Sequence, residues 1–253
     1  MLPPSPPDKR LKKDKDQALF ACQAALLREA LASWPRRGAP ILEANCGDGA
    51  FLPLLWRLGF DVVATEPDAE YRRAAAAQPA PGLEIYAASD DSLPFDNDYF
   101  DWVIVHLRKT APDSDKNAIE EGLRVARRGL MVSFWNTASF ASCFGLCRQK
   151  SSARDGWAWF RVWRRLLSLR AGSLSSFSAV YVPPMAWRDK TALSLTNRLA
   201  FLKIFGGWCL IRLDLDAPET ATPLALKIER ELPGGSPAFG YSHKNVNSQK
   251  KTL

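Results

Sequence analysis

The sequence predicts an α/β fold: a doubly wound, mostly parallel sheet with an elaborated cap between its last strands. Three observations carry that expectation. Short apolar runs alternate with stretches of helical spacing from residue 17 to residue 136. Turn formers punctuate the alternation at Pro35, Gly38, Gly59 and Gly129. The 253 residues are 47% hydrophobic, enough to bury one large core.

The elements follow in order. Phe20, Ala24, Leu27, Leu31 and Trp34 recur at the spacing of one helix face, so residues 17–34 read as an amphipathic helix ended by Pro35 and Gly38. Residues 39–44 form a short apolar run, the first strand, and lead into Asn45-Cys46-Gly47-Asp48-Gly49. A helical pattern at 50–58 stops at Gly59, and residues 61–66 give the second strand. An alanine-rich helix at 69–77 and a short strand around 83–87 come next. The turn-rich stretch 93–101 introduces a fourth strand at 102–106, residues 115–127 are helical, and Gly129 breaks into a fifth strand at 130–134.

Beyond residue 137 the alternation stops. A basic, aromatic helix, a Gly/Ser stretch at 171–178 and a strand-like run at 177–182 precede Pro183-Pro184, and a Gly206-Gly207 turn leads to a last strand from Trp208. The expected organisation is a disordered tail at 1–16 and a single domain over 17–240, then a flexible tail at 241–253. Within the domain the core spans 38–136, the cap about 137–200 and the final strands about 201–216.

Composition excludes several classes. The apolar fraction is too high for a disordered chain, and five cysteines in 253 residues are too few for a disulfide scaffold. Cys143 and Cys147 could share a helix face but lack a His or Cys partner nearby, so no metal site is expected. No apolar run is long enough to span a bilayer, and the proline-rich start has no signal-peptide core; the expectation is a soluble, cytoplasmic protein.

The formal net charge is +7 and is unevenly placed. Arg148, Lys150, Arg154, Arg161, Arg164, Arg165 and Arg170 face only Asp155 across 148–170, interleaved with Trp157, Trp159, Phe160 and Trp163. One reading packs Trp159, Val162, Trp163 and Leu166 on the core and leaves the arginines in water. The other is peripheral contact of 148–170 with an anionic membrane. No nucleic-acid partner is expected.

In open parallel sheets, ligands bind outside the carboxyl ends of the strands. Three groups of residues fall there. The turn Glu43 to Gly49 brings unhindered backbone to the cleft. Glu66 ends the second strand nineteen residues after Gly47, where an acid can accept both hydroxyls of a ribose. His106 ends the fourth strand and is the only histidine near the cleft, a candidate general base. Asn136 and Ser139, just past the fifth strand, are further acceptor-facing candidates.

The ordered set Glu43-Ala44-Asn45-Cys46-Gly47-Asp48-Gly49, Glu66-Pro67, Leu93 to Asp101 and Arg124 to Gly129 resembles the class I S-adenosylmethionine-dependent methyltransferases, which have a Rossmann-like fold. The nearest likeness is to the UbiE/MetW-like branch, across roughly residues 38–136. The resemblance implies S-adenosylmethionine (SAM) as cofactor. It places Glu43 near the methionine part, Gly47 and Gly49 as the later glycines of the turn, and Glu66 on the ribose. The acid near the adenine falls at Ser89 in the ungapped alignment, with Asp90 one residue later. Asn45 stands where the family's first glycine is usual, and asparagine tolerates positive φ better than most residues.

The expected activity is transfer of the SAM methyl group to a small or lipid-like acceptor by in-line displacement, with the cap choosing the acceptor. Two alternatives stay open at this point: a non-catalytic, MetW-like binding partner of another enzyme, and a nicotinamide oxidoreductase, in which the stretch 93–101 would have no role.

Overall fold

The computed structural model describes residues 9–107, 114–139, 158–169, 172–180 and 204–215. All of them fall in one unit that ends at Pro218. Helix α1 (Lys9–Ala30) comes first and starts inside the stretch expected to be a tail. Then follow β1 (Pro40–Ala44), α2 (Leu52–Arg57), β2 (Asp61–Thr65), α3 (Ala69–Ala76), β3 (Glu84–Tyr86) and β4 (Phe100–His106). Helix α4 (Ser114–Val125) runs straight into β5 (Ala126–Trp135), and α5 (Trp159–Leu169), β6 (Ser173–Ala179) and β7 (Trp208–Asp214) complete the order.

The seven strands form one sheet in the order β3-β2-β1-β4-β5-β7-β6. The first five are parallel, while β7 runs antiparallel to both β5 and β6. This is the expected doubly wound, mostly parallel architecture. Chain order reverses between β1 and β4, so the crevice for a ligand lies at their carboxyl ends.

Burial explains why these segments became strands. Ile41, Leu42, Glu43 and Ala44 of β1 are all buried, as are six of the seven residues of β4, the pattern of central strands covered on both faces. One face packs Ile41, Trp102, Ile104 and Met131 against α1 and α2. The other packs Leu42, Val103, Val105 and Val132 against α4 and α5, through Ile119, Leu123, Val162 and Leu166. Val162 and Leu166 are buried, and Trp159 and Trp163 stack half-buried beside them, as the core-packing reading of this helix expects.

Two departures from the sequence reading have clear causes. Gly129 lies within β5 rather than ahead of it, because Trp102 crosses it: a Cβ there would sit 2.8 Å from the indole and 3.1 Å from the Leu213 carbonyl oxygen. Trp102 is held there by stacking on Trp34, ring centroids 4.1 Å apart, and by donating to the Pro35 carbonyl oxygen at 3.0 Å. The second departure is Asn136. Its side-chain amide donates to the carbonyl oxygens of Ile204 at 2.8 Å and Gly206 at 3.1 Å, and its Oδ1 accepts from the N–H groups of Ala138 and Trp159. It is 2% exposed. Asn136 therefore joins the end of β5, the start of α5 and the turn before β7, and its amide is committed to the frame rather than to an acceptor.

The motif 93–101 also has a structural explanation. Arg124 on α4 donates to the carbonyl oxygens of Leu93 and Phe95, and pairs with Glu121 at 2.8 Å. Glu121 in turn accepts from the Leu93 N–H. One arginine thus fixes the loop to the helix, which is why both motifs occur together in the sequence.

Cys46 and Cys209 are buried free thiols and Cys22 is partly buried. Burial pushes the Cys209 thiol well above its ordinary range. Cys143 and Cys147, and the tail at 241–253, lie outside the described residues. Among the described residues, no helix is long and apolar enough to cross a membrane, and no group of three or more His, Cys, Asp or Glu could hold a metal ion.

Candidate cofactor site

The turn after β1 takes the backbone shape its composition permits. Asn45, Gly47 and Gly49 have φ of 59°, 62° and 72°, the left-handed region that glycine and asparagine adopt at least cost. Gly49 is also demanded by packing. A Cβ there would lie 2.6 Å from Leu52 and 2.9 Å from the Ala75 backbone, so the turn meets α3 through a gap only glycine fits.

Glu66 follows β2 and is fully buried. Its Oε2 accepts from the Gly47 N–H at 2.7 Å and its Oε1 from the Asp68 N–H at 3.2 Å. The ribose candidate and the glycine turn are therefore joined directly.

Asn45 and Asp90 are brought together too. The Asn45 amide donates to the Asp90 carboxylate and, at 3.3 Å, to the His106 carbonyl oxygen. Asp90 is 6% exposed and Asn45 is 7% exposed. The asparagine in the first glycine's place is thus bonded to β4 and to the segment after β3. Its side chain has partners that glycine could not supply.

Glu43 lies near the carboxyl end of β1. It is fully buried, and its Oε1 lies 2.8 Å from His106 Nε2. His106 Nδ1 is hydrogen-bonded to the Ser133 hydroxyl. Register explains the alignment. Glu43 pairs with Ile104 and His106 pairs with Ser133, so the three side chains share one face of β1, β4 and β5 at their carboxyl ends. Phe51 stacks over the imidazole, with ring centroids 5.7 Å apart. Both ring nitrogens are engaged within the protein, so proton removal by His106 requires one of these bonds to open.

Sequence reasoning missed Ser133. A serine within an apolar strand is an ordinary residue until cross-strand register sets it against a histidine. Ser139, the remaining acceptor-facing candidate, is 1% exposed.

The arrangement fits the cofactor that the sequence motifs imply. A buried carboxylate oxygen without a partner is costly, and Glu43 Oε2 is one among the described residues. A cationic or hydrogen-bond-donating ligand group would satisfy it. A second buried acid, Glu66, lies at the adjacent strand end beside the glycine turn.

Known proteins agree with the fold and the motif. A family model described as a methyltransferase domain matches residues 42–133. Among solved structures, a SAM-dependent methyltransferase of Thermotoga maritima, described as a possible histamine N-methyltransferase, is 15% identical with a TM-score of 0.56. That match covers 79% of this chain and 91% of the other. A magnesium protoporphyrin IX methyltransferase of Synechocystis with bound S-adenosylhomocysteine (SAH) is 13% identical, covering 84% of this chain and 90% of the other at a TM-score of 0.56. A methyltransferase of Haloferax volcanii, solved with the Trm112 methyltransferase activator, is 17% identical, covering 82% and 93% at a TM-score of 0.57. No curated protein matches the sequence significantly. Residues 42–133 thus match the methyltransferase-domain family, and the chain has the fold seen in solved SAM-dependent methyltransferases.

Proposed function

We propose that the protein transfers the methyl group of SAM to a small or lipid-like acceptor, by in-line displacement in the crevice between β1 and β4. The observation that supports this best is the pair of fully buried acids, Glu43 and Glu66, flanking a turn of three left-handed residues at the point where strand order reverses. Bound SAM supplies a methyl carbon already activated by its sulfonium. Glu66 would hold the ribose hydroxyls, the backbone of Gly47 and Gly49 would lie against the ligand, and Glu43 would face its amino-acid end. Asp90 and Asn45 would border the adenine side. The chain's own work is to bind, orient and exclude water, which suits a displacement at an activated carbon. His106 serves as a base only for an acceptor that must lose a proton, and then by exchanging its bond to Ser133 or Glu43. The motif set supports a position in the UbiE/MetW-like branch, and a cytoplasmic location fits that reading.

The outer face of α5 belongs to the same proposal. Phe160 is 56% exposed and Leu167 is 58% exposed, seven residues and therefore about two turns apart. Arg161 and Arg164 stand exposed beside them and make no ion pair among the described residues. Apolar side chains flanked by exposed arginines match an anionic lipid surface in both hydrophobicity and charge. Nucleic acid is the poorer partner, since of the two exposed apolar side chains Phe160 alone offers a stacking surface.

Incubation with methyl-labelled SAM and fractionated small-molecule and lipid extracts tests the activity. Label is expected in a low-molecular-weight or lipid fraction. Label confined to protein or RNA, or absent despite SAM binding, would overturn the acceptor class. Co-sedimentation with anionic vesicles, weakened by Phe160→Ser, tests the surface; salt-sensitive RNA binding without vesicle binding would contradict it.

A further inference from the structure

We propose that Ser133, acting through His106, is a positioning residue that sets Glu43 for the ammonium group of the cofactor's amino-acid end. The inference rests on the SAM reading above and deepens it. A buried carboxylate needs fixed partners, and Glu43 has one: His106 Nε2, 2.8 Å from its Oε1. For the neutral imidazole to donate from Nε2, Nδ1 must be the unprotonated nitrogen, and the Ser133 hydroxyl is placed to donate to it. The carboxylate, an acceptor only, requires the proton on Nε2; the serine bond at Nδ1 then holds the ring in place, and the ring fixes Oε1 and leaves Oε2 as the oxygen without a partner.

The chain of three is rigidly mounted. Ser133 is 2% exposed, His106 is stacked under Phe51, and the His106 backbone carbonyl accepts from Asn45. All three donors and acceptors come from neighbouring strands in register, so little freedom is left to a ligand-free Glu43. Loss of the serine hydroxyl would leave Nδ1 without its bond and let the imidazole turn away from Glu43, and Oε1 would then compete for whatever Oε2 should bind.

Two ligands separate positioning from general structural support. SAH carries the ammonium, and 5′-methylthioadenosine keeps the nucleoside without the amino-acid end. Calorimetric titration of the native protein and of Ser133→Ala with both is the test. The expected result is about tenfold weaker SAH binding by the variant, with methylthioadenosine affinity unchanged within about twofold. His106→Phe, which keeps a ring against Phe51 and removes both bonds, should show the same selective loss. Should Ser133→Ala not fold, Ser133→Cys keeps the size of the side chain with a weaker donor, and a smaller selective loss is expected.

Equal weakening of both ligands, or no change in either, would overturn the proposal while leaving the SAM reading intact. Failure of the native protein to bind either ligand would overturn the SAM reading itself. Native binding of methylthioadenosine with no gain from the amino-acid end would overturn the positioning role alone.

Discussion

The two buried acids of the crevice are built in opposite ways. Glu66 is secured by backbone: its oxygens accept N–H groups from Gly47, in the turn after β1, and from Asp68, two positions on. Glu43 is secured by His106 of β4, which Ser133 of β5 holds in turn, and one of its oxygens is left open. The difference teaches where a ligand can exert leverage. A carboxylate held by backbone is a fixed wall, whereas one held by a single imidazole, itself tethered by a hydroxyl, is a balanced group whose remaining oxygen awaits a donor.

Breaking the turn common to both acids should have the largest effect. Gly49→Val places a branched side chain at φ 72° into space filled by Leu52 and Ala75. A loss of about 3 kcal/mol or more in urea unfolding is expected, together with loss of SAH binding. Next, the acids should separate from each other. Glu66→Ala strands two N–H groups and should cost about 1–3 kcal/mol in the same assay. Glu43→Gln keeps an oxygen for His106 and should cost less than about 1 kcal/mol, yet weaken SAH binding by about tenfold or more. Equal stability losses would erase the contrast.

Asn45 sharpens the comparison at a smaller scale. Asn45→Ala combines positive φ with loss of the bonds to Asp90 and His106, while Asn45→Gly loses the bonds only. The glycine variant should be the more stable of the two by about 1 kcal/mol.

The smallest effect lies away from the crevice. The Arg124 guanidinium bonded to Glu121 holds that carboxyl below the usual carboxylate range. A depressed folded value stabilises the protein above the ordinary carboxylate pKa, and that contribution disappears as pH falls through the folded value. Unfolding midpoints followed from about pH 6 to about pH 2 should therefore show an acid-side loss that is reduced in Arg124→Met.

Much of this was legible in the residues. The alternation of strands and helices follows from periodicity, and the Glu66–Gly47 contact spans nineteen positions, a single strand–helix–strand unit whose two strand ends that periodicity marks. The Glu43–His106–Ser133 chain was not legible as a unit. His106 and Glu43 are 63 positions apart and His106 and Ser133 are 27 apart, joined only by strand register. Asn136 was read as facing an acceptor because it follows a strand end. Its partners at Ile204 and Gly206 are contributed by a turn far along the chain, which no local pattern reveals. The start of α1 at Lys9 runs ahead of the apolar stripe that signals the helix, since charged residues continue a helix without marking a buried face.

The central claim is that the crevice between β1 and β4 holds SAM and not a nicotinamide dinucleotide. Calorimetric titration of the native protein with SAH and, separately, with NAD tests it most directly. Saturable one-to-one binding of SAH with no measurable binding of NAD is the predicted result; binding of NAD alone, or of neither ligand by the folded protein, would contradict it.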